Sequence, residues 1–68
     1  MYAITYKKKS GQLETNEGYE IHEFKVNSSS VTVLTAGGTE KRLSFSSSKC
    51  VQIYSGNHNN PLLVLGGK

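Results

Sequence analysis

Lys7-Lys8-Lys9 is the one run of charge in the chain, and Lys41-Arg42 is its nearest echo. Lysine and arginine neutralise phosphates, and tyrosine rings offer stacking platforms for bases, a combination that grips single strands without reading their sequence. Tyr2, Tyr6, Tyr19 and Tyr54 supply the rings, so Lys7, Lys8, Lys9, Lys41, Arg42, Tyr2 and Tyr6 form a candidate nucleic-acid surface. The same residues also suit a structural role. Lysines at a strand end blunt an edge against aggregation, and tyrosines complete a thin core with their hydroxyls at the water.

Other reactive types are present without the spacing that chemistry needs. A serine nucleophile requires a base in hydrogen-bond reach and an acid to orient it. The serines instead cluster at positions 28–30 and 46–48, where turn formation accounts for them, and the expected catalytic set is empty. Cys50 precedes Val51 in an apolar run and reads as a small core or edge residue. His22 and His58 match no local metal-ligand motif, so no metal or other cofactor is expected. His58 lies among Asn57, Asn59 and Asn60, which form turns or hydrogen-bond a small polar ligand; Tyr54 with His58 is therefore a candidate metabolite contact.

The elements that must position these residues are few, because 68 residues with 35% hydrophobic content make one domain with a thin core. One cysteine excludes an internal disulfide, and the chain contains neither Asp nor Trp. Five glutamates as the only carboxylates argue against paired-acid catalysis and hard-metal cages. A formal charge of +3 favours solubility and polyanions. Tyr2 to Tyr6 precedes the lysines, the wrong order for an export signal, and no apolar run approaches the length of a membrane span. A cytoplasmic protein with no membrane partner is the expectation, in keeping with the free thiol.

Apolar and polar residues alternate with period two, and no window sustains a helical pattern, which predicts an all-β fold. Tyr2, Ile4 and Tyr6 share one face of a first, half-buried strand, and residues 10–18 read as a long loop or a frayed short strand. Residues 19–26 form a second strand in which Tyr19 and Ile21 are odd while Phe24 and Val26 are even, so a bulge near His22 or Glu23 must restore the phase. Residues 27–30 are a turn before a strand over residues 31–35. A two-residue Gly37-Gly38 loop would set Val33 against Arg42. A three-residue loop, Ala36-Gly37-Gly38 with Gly38 left-handed, pairs Val31 with Leu43 and is the predicted register. The fourth strand then covers residues 39–46, with Glu40, Arg42 and Ser44 facing water. Residues 46–49 suit one tight helical turn, and Val51 with Ile53 begin a short fifth strand.

Five strands, a long first loop, a tight third hairpin and a one-turn connector resemble a small SH3-like barrel over residues 2–55, with an OB-like barrel or an open meander sheet as the alternative. The peptide binders of that shape use an acidic first loop and a tryptophan; Glu14 and Glu17 are here, the tryptophan is not. Leu62, Leu63, Val64 and Leu65 are apolar on both faces, so residues 61–68 either close the sheet against the first strand or pair with another chain. With Gly66-Gly67 they resemble the double-glycine tail of ubiquitin-like modifiers, whose sheet wraps a helix that has no counterpart in this pattern. The leading expectation is a single five- to six-stranded barrel over residues 1–68, a non-catalytic binding module of bacterial or phage accessory type. It would act through protein contacts and self-associate through residues 62–65 as a homo-oligomer. Nucleic-acid binding is the second reading and metabolite capture at a subunit interface the third.

Overall fold

Ser10 and Gly11 both adopt positive φ, 52° and 81°, and reverse the chain in a two-residue turn between Lys9 and Gln12. The mirror-type turn matches the twist of the strands it joins. In this computed structural model, which describes residues 1–56 and 60–67, the turn links β1 (Tyr2–Lys9) to β2 (Gln12–Val26). The expected loop at residues 10–18 is therefore a hairpin arm. It escapes a reading by alternation because both its faces are exposed from Lys7 to Gly18, leaving no buried side to mark the period.

β3 (Ser30–Thr35), β4 (Glu40–Ser44), β5 (Lys49–Tyr54) and β6 (Leu63–Gly66) complete an antiparallel sheet in the order β4-β3-β2-β1-β5-β6. The sheet curls strongly into a half-barrel, as in small SH3- and OB-like barrels. Two sequence-derived registers are found. Val31 pairs with Leu43 across a three-residue loop in which Gly38 has φ 87°, and the β2–β3 register shifts between Ile21 and Glu23. That bulge places Ile21 and Phe24 on the concave side together, and Asn27 closes the following turn with its N–H 2.8 Å from the Ser30 carbonyl.

The concave side holds the core. Ala3, Ile21, Val31, Val33, Leu43, Val51 and Ile53 are buried there, with Tyr19, Phe24, Phe45, Leu63 and Leu65 packed against them. Each fully buried aliphatic side chain contributes about 1.5–3 kcal/mol. The inward face of β1 is Ala3 rather than the Tyr2, Ile4 and Tyr6 face. Those three lie on the convex side in register with Tyr54, Gln52 and Cys50, where they half-bury one another. Tyrosine, with an apolar body and a polar tip, fits either side, so alternation alone could not orient the strand.

Three further expectations are corrected. Residues 46–49 form a tight β-turn, not a helical one: Ser46 and Lys49 exchange backbone hydrogen bonds of 2.9 and 3.3 Å. The fourth strand ends at Ser44; the Phe45 N–H carries the β3–β4 register one step further to the Ser29 carbonyl at 3.0 Å, and the Ser46 N–H then leaves it for the Lys49 carbonyl at 2.9 Å. Finally, the apolar tail does close the chain's own sheet, but against β5, since both sides of β1 are occupied by β2 and β5. Gly67 then donates to the Ser46 carbonyl at 2.7 Å, so the two glycines are tucked into the seam between β4 and β5 instead of standing free as a modifier tail would.

Candidate nucleic-acid interface

Curling brings β4 over the concave face of β1 and β2 and leaves a cleft of about 300 Å³ between them. Lys7 enters it from β1, one alternation beyond Thr5, and Lys49 sits directly across from Lys7 on β5. The opposite wall carries Lys41, Arg42 and Ser44 of β4, with Leu43 at its floor. Four cationic residues thus border the cleft, Lys7, Lys41 and Lys49 on the inward alternation of their strands and Arg42 beside them on the β4 wall. Like charges directly opposite on neighbouring strands repel, so the Lys7–Lys49 pair is a place where an anion would relieve strain, although Glu14 faces Lys7 from β2.

The β2 wall is built differently. Thr5 pairs with Glu17 and Tyr6 with Thr15, a register shift that leaves Asn16 as the extra, cleft-lining residue of a bulge. The Glu17 N–H donates to Thr5 Oγ1 at 3.1 Å, and the Tyr19 hydroxyl donates to the Glu17 carboxylate. Lys41 Nζ lies 5.1 Å from the centre of the Tyr19 ring, a cation–π contact from the opposite wall. An aromatic ring, a carboxylate and four cations therefore meet in one groove.

The sequence-derived surface divides here. Lys7, Lys41 and Arg42 line the cleft, and Tyr6 borders it from β1 but turns its ring to the convex face, where its hydroxyl meets that of Tyr54; Lys8 and Lys9 stand on the exposed hairpin arm and Tyr2 lies on the convex face at the other end of β1. Lys49 and Glu17 were not expected in this surface, and Tyr19 was expected only as one ring among four. The pairing of β1 with β5 and the curl that brings in β4 are long-range events that no local spacing encodes. A second concavity, lined by Glu23, Phe24, Lys25, Thr32, Val33, Leu34 and Glu40, has two carboxylates to one lysine and does not suit an anion.

The remaining candidates are scattered. Tyr54 is buried with its hydroxyl bonded to Tyr6 and Gln52, and His58 lies outside the described residues. His22 bonds the Ala36 carbonyl through Nε2 at 3.2 Å, and Cys50 is a buried free thiol. Among the described residues no three His, Cys, Asp or Glu gather as metal ligands, and no helix is long and apolar enough to cross a membrane. Leu63 and Leu65 pack inward, while Leu62 and Val64 are 61% and 48% exposed. The chain matches no family model, no curated protein and no solved structure.

Proposed function

We propose that this protein is a non-catalytic module that binds single-stranded nucleic acid in the cleft between β1, β2 and β4. The supporting observation is a groove open to solvent that Lys7, Lys41, Arg42 and Lys49 all border, with Lys41 over the ring of Tyr19. Cations there neutralise the backbone while the ring offers a stacking face, and four cations on a chain of net charge +3 concentrate its field at one place. Fluorescence anisotropy with labelled oligonucleotides tests the reading. Binding at low salt should weaken with a slope of about −2 to −3 in log K against log salt, as expected for three or four neutralised phosphates on a single strand. No binding at about 50 mM salt ends it.

A second reading, self-association, is favoured by the contrast between the two open edges of the sheet. The β4 edge carries Glu40, Lys41 and Arg42, charges that resist pairing with another strand. The β6 edge is uncharged, and its exposed Val64 continues a convex row through Gln52 to Ile4. Light scattering across micromolar concentrations should show a dimer that Val64→Lys dissociates; a monomer throughout rules this reading out.

A further inference from the structure

Glu17 is the anomaly of the cleft, a carboxylate among four cations, and it opposes any ligand held through phosphate alone. Yet hydrogen bonds hold it at both its backbone and its carboxylate. Its backbone is tied to Thr5 Oγ1 across the β1–β2 pair, its carboxylate accepts the Tyr19 hydroxyl, and the Asn16 bulge beside it sets where the strand turns its side chains. A tether of this kind preorganises an acceptor, so less ordering entropy is lost when a ligand donor reaches it.

We infer that Glu17 and Tyr19 form a base-reading subsite that selects guanine over thymine or uracil, an inference that rests on the single-strand reading of the cleft. The base stacks on the Tyr19 face now covered by Lys41, and Lys41 moves from the ring to a phosphate. Glu17 meets the edge of the stacked base. An ionised carboxylate only accepts hydrogen bonds, and its two oxygens keep free lone pairs after Tyr19 has used one. Thymine and uracil present a single N–H between two carbonyl oxygens, which a carboxylate repels. Cytosine and adenine present an amino group beside a ring acceptor. Guanine alone presents N1–H and the 2-amino group side by side, two donors for two acceptor oxygens. The carboxylate that weakens phosphate binding thus supplies specificity, through an unfavourable contact with the wrong base as well as a favourable one with the right base.

The probes are labelled thymine oligonucleotides of about 12 nucleotides, within the span of one small barrel, and the same strands carrying isolated guanine, cytosine or adenine. The guanine probe should bind about fivefold or more tightly than the all-thymine probe. Glu17→Gln should bind the all-thymine probe more tightly than wild type does and lose most of the guanine preference. Tyr19→Phe keeps the ring and removes the tether, and should reduce the preference while retaining binding. Equal affinity of wild type for all four probes overturns base selection and leaves the cleft reading standing. So does a guanine preference that survives intact in a folded Glu17→Gln protein. Absence of binding to every probe overturns both.

Discussion

The hydroxyls of Tyr6 and Tyr54 lie 3.1 Å apart on the convex face, joining β1 to β5 on the side of the sheet away from the main core. Tyr54 donates to Gln52 Oε1, so Tyr6 is the donor in the pair. Gln52 passes the chain on through Nε2 to Cys50 Sγ at 3.7 Å. A half-barrel this small has little interior. The row of Tyr6, Tyr54, Gln52 and Cys50 gives the convex side a second, polar layer of packing.

That layer makes stability sensitive to high pH. Burial, aided by the bond to Tyr54, pushes the Tyr6 pKa up from 10.0 to about 12. A raised folded pKa means its contribution is fully present below pH 10 and is lost as pH rises from 10 towards 12, because the unfolded chain releases the proton first. Urea midpoints should hold up to pH 10 and fall above it. Tyr6→Phe, with no proton to lose, should remove that component of the fall; an identical decline in the variant would show that Tyr6 is not its source.

Gly66 and Gly38 share a positive φ, 79° and 87°, but differ in what surrounds them. A Cβ at Gly66 would lie 2.3 Å from the Lys49 carbonyl oxygen and 2.8 Å from that of Ser46, backbone atoms that cannot rotate away. At Gly38 nothing lies within 4 Å. Gly38→Ala should therefore cost about 1–2 kcal/mol from the left-handed backbone alone. Gly66→Ala adds overpacking of about 1–3 kcal/mol to that strain and should lower Tm by about 1.5 to 4 times as much. Equal losses would mean that the β4–β5 seam yields around the added carbon.

Ile53 is fully buried between β1 and β6, paired with Ala3 and Leu63. Truncation to alanine should cost about 2–5 kcal/mol, a large share of the roughly 3–10 kcal/mol available to a domain of this length. Leu62→Ala, at a side chain 61% exposed, should cost under about 0.5 kcal/mol in the monomer. Chemical denaturation of both variants checks the contrast, and similar losses would contradict the burial of Ile53.

Where one face of a strand was buried, the sequence carried the register. Val31, Val33 and Leu43 marked the β3–β4 register because the two-residue loop set a charge against the core where the three-residue loop did not, and the phase change between Ile21 and Phe24 marked a real bulge. Where neither face was buried, as at residues 10–18, or where tyrosines suited both faces, as in β1, alternation had nothing to report. The cleft was illegible for another reason. Lys7 is far along the chain from Lys41 and Lys49, and only the β1–β5 pairing and the curl of the sheet bring the three to one groove.

Lys49 and Lys8 separate the effect of that groove from the effect of charge in general. Each carries one positive charge, but Lys49 lines the cleft opposite Lys7, whereas Lys8 is exposed on the hairpin arm with its backbone N–H tied to Ser48. Lys49→Ala and Lys8→Ala lower the net charge equally, so any long-range attraction falls equally in both. If the cleft holds phosphates, Lys49→Ala should reduce the magnitude of the salt slope for oligonucleotide binding by about 0.7, the value of one released counterion on a single strand. Lys8→Ala should leave the slope close to wild type and shift affinity only slightly at low salt, where screening is weakest. Equal changes in the two slopes would place the anion on the general basic surface and remove the cleft as the site.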